Sequence, residues 1–415
     1  MLHCVVAFRV RNPPYRNCDV FLMFSSSIST NSIHCDTFPL ISSEFECGSF
    51  CKEIDSDVFK SLIEAACSAP SADNNQPWKF STSNSGIDVY CDLRRRLPSD
   101  VDGMFDLLSL GAVIENICLS LARISQGARV RLADANNDSF SQADEPIRHV
   151  ATIEFTDQTA ENSEHGLADF IASRCTTRTP FSSAIIPSDQ LAQISSAAIC
   201  DPQIHLHWEN EPARIRKVAS MIALSDSLRF RYRDFHEELH RQLRLTRNHA
   251  EQTRDGLDYR TLGLPPGAKC VLRLLRPWRT MAFLNQLGMA SLLSLPSIRL
   301  VRCSGAIGFV FVKDRTPESM IAGGRALQRI WLQATKMNLA FQPLGSLPIF
   351  LANESMPREL QPTVDRVRAK ADALLPSTEG FLQMAFRIGN TKHSTNTRSL
   401  RRTAEEVTFL ANPTK

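Results

Sequence analysis

The 415-residue chain has no unbroken run of eighteen apolar residues, so no membrane-spanning helix is expected. The nearest candidate, Met281 to Val301, is interrupted by Asn285, Gln286, three serines, Pro296 and Arg299, and reads as a buried helix or a lid. An excess of one charge is also missing. With 47 Lys+Arg against 44 Asp+Glu the formal charge is +3, which gives no reason to expect a nucleic-acid partner. There is no Gly-x-Gly-x-x-Gly, so a permanently bound Rossmann dinucleotide is not expected. Glycine (17) and proline (22) are too few, and the apolar share of 43% too ordinary, for a fibrous or wholly disordered chain. Paired metal-type cysteines are lacking as well. Five of twelve cysteines fall in the first 51 residues, and Cys47 and Cys51 have no second pair to complete a zinc site. A reduced, cytoplasmic chain is the expectation.

Residues 1–52 show no sustained period and read as a poorly ordered extension. From Ser56, an expected N-cap, a helical stripe runs to Pro70. Strands are expected at Trp78–Ser81 and Ile87–Cys91, then a long helix from about Phe105 to Ser125 with Gly127 closing it. Strands follow near Ala128–Leu132 and His149–Phe155.

The chain then restarts. SDVFKSLIEAACSAP from Ser56 matches SDQLAQISSAAICDP from Ser188 at an offset of 132 residues. The helix Gly111–Leu121 matches Gly324–Ala334 at an offset of 213, pairing glycine with glycine and Leu119 with Leu332. Two related α+β halves are therefore expected, 53–160 and 161–410, the second carrying a helical lid insertion over 211–300.

Two polar motifs stand out. Ala69–Phe80 (APSADNNQPWKF) packs Ser71, Asp73, Asn74, Asn75 and Gln76 between a helix and a strand, where they offer hydrogen bonds to a planar or sugar-like ligand. On composition alone the same loop is an Asn-rich turn. Arg174-Cys-Thr-Thr-Arg178 sets two guanidiniums around two hydroxyls, a donor set suited to phosphate. Taken together, the motifs resemble the nitroreductase-like FMN flavoprotein family. Arg174, Thr176 and Arg178 match its R-x-[ST]-x-[RK] element, and Pro70, Ser71, Asn74, Gln76, Pro77 and Trp78 match its P-S-x-x-N-x-Q-P-W loop. Gly324–Pro348 resembles its late helix and the strand beside the flavin, and Arg387–Arg402 its closing strand and basic tail. The insertion, with DGLDYRTLGLP at Asp255–Pro265, looks most like fused members related to the mycobacterial dormancy-associated nitroreductase-like proteins.

The resemblance implies a nitroreductase-like α+β fold in which two fused halves form a pseudo-dimer, as a monomer or weak homodimer. It implies FMN, with the flavin and no protein side chain carrying the chemistry, and NAD(P)H and a nitroaromatic, quinone or other small planar acceptor as transient partners. By carry-over, Arg174 and Thr176 would hold the phosphate and ribityl chain, and Arg178 would lie near the N1/O2 edge of the ring. Pro70, Ser71, Asn74 and Gln76 would come from the opposite half. Leu344 and Gly345 would approach the ring where many relatives have Glu-Gly, and Arg401 is a further phosphate candidate. Only the first half keeps the polar loop and only the second keeps R-x-T-x-R, which predicts one complete FMN site. A non-catalytic flavin-storage protein is the alternative. A third reading takes His236-Glu237-Glu238-Leu239-His240 as a zinc-hydrolase H-E-x-x-H, although no third ligand follows at the required spacing and arginines crowd the segment.

Overall fold

The computed structural model describes residues 55–83, 86–133, 146–156, 165–198, 201–354, 356–376, 380–391 and 397–409. The expected extension 1–52 lies outside them. Helix α1 (Ser56–Cys67) is capped by Asp55, one residue before the expected cap, whose side chain accepts from the Asp57 amide at 2.8 Å. Strands β1 (Trp78–Ser83) and β2 (Gly86–Asp92), helix α2 (Met104–Arg123), and strands β3 (Gly127–Leu132) and β4 (Ile147–Thr156) complete the first set of elements. Ser125, at φ 59°, turns the chain out of α2, so the role given to Gly127 falls two residues earlier and Gly127 opens β3.

A short helix α3 (His165–Ala168) precedes the second set: α4 (Ser188–Ala198) and β5 (Ile204–Glu209). Then come α5 (Pro212–Arg231), α6 (Arg233–Gln242), β6 (Leu243–Arg244), α7 (Arg247–Thr253), β7 (Leu257–Asp258), α8 (Ala268–Leu275), α9 (Trp278–Gln286) and α10 (Met289–Arg302). The chain closes with β8 (Ala306–Val312), α11 (Pro317–Lys336), β9 (Ala340–Leu344), α12 (Ser346–Ala352), α13 (Gln361–Leu374), β10 (Phe381–Gly389) and α14 (Ala404–Val407).

Two four-stranded antiparallel sheets result, ordered β1-β2-β4-β3 and β5-β8-β10-β9. Both follow the same rule, the first strand of each set pairing the second, the second the fourth, and the fourth the third. The continuous apolar run of β8 is explained by burial on both faces. Ala306, Val310 and Val312 join the core under α11, while Ile307, Phe309 and Phe311 join a second core with α5 and α13.

Helices α2 and α11 cross at two glycines. A Cβ on Gly111 would lie 2.2 Å from the Ile321 carbonyl oxygen, and one on Gly324 would lie 2.1 Å from that of Leu108. Each glycine thus meets the carbonyl three residues upstream of the other, a self-complementary contact. Leu119 and Leu332, paired by the same offset, are both fully buried in one small cluster beyond the crossing. Helix α2 is long and apolar enough to cross a bilayer, but its apolar window is 83% buried inside the protein.

The insertion is not all lid. Helix α5 buries Ile215, Val218, Ala219, Met221, Ile222 and Leu228 in the core of the second sheet. The segment Met281–Val301, expected as a buried helix or a lid, falls in two helices, α9 and α10, meeting at 85° beside Gly288, whose φ is 86°. Its outward leucines are exposed, because only one side of each helix finds a partner.

Candidate functional site

The loop between α1 and β1 is held in an unusual shape. Asp73, Asn74 and Gln76 all take positive φ (45°, 59° and 51°), which side-chain-bearing residues adopt only when their surroundings fix them. The fixing bonds are present. The Ser71 hydroxyl accepts from the Gln76 amide at 3.0 Å, and Asn75 donates to Asp106 at 2.9 Å and to the Arg95 carbonyl at 3.1 Å. Gln76 is fully buried, donates to the Arg254 carbonyl and accepts from the Arg402 amide, each at 2.8 Å. It does not line the cavity described next, so its expected contact with a cofactor is corrected: both ends of its amide are used to pin the loop to the insertion and the C-terminal segment.

Pro70, Ser71 and Asn74 face a cavity of about 320 Å³. Across it stand Arg174, Thr176 and Arg178, with Leu344 and Gly345 at the end of β9 and Arg401 from the C-terminal segment. Nine of the ten expected site residues therefore share one space, although they are drawn from loops separated by hundreds of positions. A smaller annex of about 100 Å³ shares Arg174, Thr176, Arg178 and Arg401 and adds Arg398.

Arg174 and Arg401 meet no carboxylate partner among the described residues. Arg174, 6% exposed, donates to the Ser68 carbonyl at 3.0 Å and lies 4.3 Å above the Trp331 ring, and its Nε has no partner. Burial, reinforced by the nearby charges of Arg401 and Arg398, pulls its pKa down to about 9. Arg401 donates to Asn74 Oδ1 at 2.7 Å and to the Ala69 carbonyl at 3.2 Å, while its Nε is also buried and unpaired. Burial lowers its pKa to about 10. Arg178 donates to the Thr261 carbonyl at 3.1 Å; burial lowers its pKa, and the charge of Asp73 partly offsets this.

The cavity also has apolar walls, formed by Phe105 and Leu108 of α2, Leu327 of α11 and Met384 of β10, with Trp331 of α11 lying directly beneath Arg174. Leu327 and Trp331 belong to both core and cavity. Two acids reach the rim. Asp73 pairs with Arg229 at 2.5 Å, and Asp226 accepts hydrogen bonds from Ser297 of α10 and Ser346 of α12. Burial raises the Asp226 pKa, against the pull of those two hydroxyls and Arg229. Local sequence gave no sign of Asp226, Arg229, Ser297 or Ser346, because their partners lie 71 to 156 residues away.

The H-E-x-x-H segment does bring its imidazoles together, with ring centroids 4.5 Å apart. No third ligand joins them among the described residues. Glu237 is held by Arg233 at 2.7 Å, and Glu238 accepts from the Ser99 amide at 2.7 Å. Burial lowers both histidine pKa values, that of His240 to about 4 with further repulsion from His236 and Arg276. The helix is a packing element, and the zinc reading has no site there. The six described cysteines, Cys67, Cys91, Cys118, Cys175, Cys270 and Cys303, form no disulfide among the described residues.

No family model matches the chain. An uncharacterised protein of Mycobacterium tuberculosis is 27% identical over 294 residues, 70% of this chain and 39% of its own length. A second M. tuberculosis protein, named as a candidate NAD(P)H nitroreductase, is 32% identical over 130 residues, 31% of this chain and 37% of its own. The chain spans about two-fifths of the length of the curated relatives it matches. Among solved structures, the FMN-dependent nitroreductase of Mycobacterium smegmatis in complex with NADPH is 18% identical, with a TM-score of 0.33, over 59% of this chain and 98% of that one. A nitroreductase with bound FMN from Bacteroides fragilis gives 12%, a TM-score of 0.32, and 57% and 94%. The curated similarity is thus mycobacterial and includes proteins named as candidate NAD(P)H nitroreductases, the class that the two motifs resemble.

Proposed function

We propose that this chain is an FMN-dependent oxidoreductase of nitroreductase-like fold, taking reducing equivalents from NAD(P)H and passing them to a small planar acceptor such as a nitroaromatic or quinone. One observation carries the reading: two buried guanidiniums, Arg174 and Arg401, each with an Nε unpaired among the described residues, face a cavity that is otherwise largely lined by apolar side chains. Such a pair is costly unless an anion enters, and a phosphate attached to a flat apolar ring suits both kinds of lining. FMN, when bound, would supply hydride acceptance and donation.

The residues have separable tasks. Arg174, Arg401 and Thr176 would hold the phosphate end. Arg178 would set a positive charge farther along the cavity. Phe105, Leu108 and Trp331 would exclude water from the ring. Leu344 puts no carboxylate at the end of β9, so that wall stays apolar. Ser71 would donate from the first set of elements to a ligand held by the second, and Asn74, which accepts from Arg401 and donates to the Leu400 carbonyl, would line the site and hold Arg401 in place.

That division supports two fused halves, 53–160 and 161–410, arranged as a covalent pseudo-dimer with one complete site. Support comes from the shared strand order of the two sheets and the reciprocal Gly111/Gly324 contact.

Flavin storage is the second reading. It is favoured by the cavity roof, where Asp226 and Arg229 of α5 and Ser297 and Leu300 of α10 cover the space, and by a volume near the lower end of the range for ligand sites. The test is the absorption spectrum and flavin stoichiometry of purified protein, followed by steady-state NADH and NADPH oxidation with a quinone and a nitroaromatic. One FMN per chain with turnover is expected. Tight FMN without turnover transfers the assignment to storage, and two FMN per chain refutes the single site.

A further inference from the structure

Helices α8, α9 and α10 carry a surface unlike the rest of the protein. Seven of the eleven large hydrophobic side chains recorded as exposed among the described residues fall between Leu264 and Leu295. Leu287 is 75% exposed, Leu274 67% and Phe283 63%. Single exposed leucines are ordinary, but this concentration is not. The inward sides of the three helices are already used, Leu275, Met281 and Ala290 forming their own small core with Trp278, Leu284 and Leu293. The outward side chains therefore have no packing role within the described residues.

The charge of this region is equally one-sided. From Tyr259 to Lys313 there are eight Lys or Arg and no Asp or Glu, in a chain whose overall balance is nearly even. Arg273, Arg276, Arg279, Arg299 and Arg302 are exposed, and none forms an ion pair among the described residues. Arginines interleaved with Leu and Phe on short helices suit an interface that is apolar at depth and anionic at its surface. A second copy of this chain would suit it poorly, because a two-fold contact would set the same five cations against each other.

We propose that α8–α10 dock on the surface of an anionic phospholipid bilayer, with Leu274, Phe283, Leu287 and Leu292 entering the acyl boundary and the arginines meeting headgroup phosphates. No helix spans the bilayer in this arrangement; the three lie on it. Helix α10 also turns Ser297, Leu300 and Val301 to the cavity. The docked face and the candidate flavin site are thus separated by one helix, about 10–12 Å across. The inference does not rest on the flavin reading, and its test needs no turnover.

The experiment is flotation of the full-length protein with vesicles of phosphatidylcholine alone and of an equal mixture with phosphatidylglycerol. Binding to the mixed vesicles only, weakened by high salt, is expected. Replacing Arg273, Arg276 and Arg279 by Gln should weaken partitioning about a hundredfold, at about fivefold per arginine near an anionic surface. Phe283→Glu with Leu287→Glu should abolish it. Far-ultraviolet circular dichroism of each variant checks that the fold is retained, and because all these side chains are exposed the fold should survive. Absence of flotation with both vesicle types overturns the proposal. So does equal binding to both, or loss of a concentration-dependent dimer in the Glu variant without any vesicle binding, which would make the face a self-association surface.

Discussion

Replacing Arg174 by Met should move stability and ligand affinity in opposite directions. The guanidinium is buried, and its pKa falls from 12.5 to about 9. At pH 7.5, below that folded value, the arginine is charged in both folded and unfolded protein, so the whole cost of burying it applies. At 1.36 kcal/mol per unit the shift corresponds to roughly 5 kcal/mol. Met would forfeit the contact over Trp331, worth about 1–2 kcal/mol, and the bond to Ser68, worth about 1 kcal/mol. The ligand-free variant should therefore be more stable than the parent by about 2 kcal/mol, a rise of a few degrees in Tm. Affinity for FMN should meanwhile fall by about 30- to 5,000-fold, because a buried charge-assisted contact to phosphate is worth about 2–5 kcal/mol. Differential scanning calorimetry of flavin-free protein and titration by flavin fluorescence read the two quantities separately. A destabilised variant that binds FMN as the parent does would refute both the electrostatic reasoning and the phosphate site.

Two further predictions concern the helix crossing. Gly324→Ala would force a methyl to within 2.1 Å of the Leu108 carbonyl oxygen and should destabilise by about 2–3 kcal/mol in urea titration. Gly345→Ala meets only the Phe105 ring at 3.4 Å and should be nearly neutral, so equal effects would count against the crossing. Glu115, fully buried, accepts from Arg325 at 2.7 Å and from Arg329 at 2.5 Å, and these cations outweigh burial to lower its pKa. Its contribution is present above the ordinary carboxylate pKa and is lost as pH falls through the depressed one. Glu115→Gln should thus cost about 3–5 kcal/mol at pH 7.5, with the gap from the parent closing below about pH 4. An unchanged gap in acid would exclude the carboxylate as its source.

The parts of this molecule legible in the sequence are those with local signatures. Helix α2 announced itself through apolar spacing, and the matching stretch at Gly324 was legible as its repeat, whereas the crossing of the two at their glycines became visible only in the structure. Arg174, Thr176 and Arg178 were legible as a group because they lie within five residues of one another, and the structure turns all three to one cavity. Gln76 was misread for the opposite reason: a polar residue in a ligand-like motif looks the same whether its amide faces a ligand or Arg254 and Arg402. Asp226 and Arg229 were hidden because they lie on α5, a helix whose role depends on the second sheet packing beneath it. The exposed side of α9 and α10 was missed because apolar content alone does not say which face is covered.

The C-terminal segment bears on timing. Arg401 contacts the Ala69 carbonyl across 332 residues, and Arg402 holds Gln76 across 326. At ribosomal speeds of about 5–20 residues per second, the loop waits roughly 20–60 s for the residues that lock it. On the proposed function, cofactor capture would therefore be a late event in the life of the nascent chain, because Arg401 is made after the rest of the site. Flavin supply would control how much of the finished protein is loaded, rather than whether it folds.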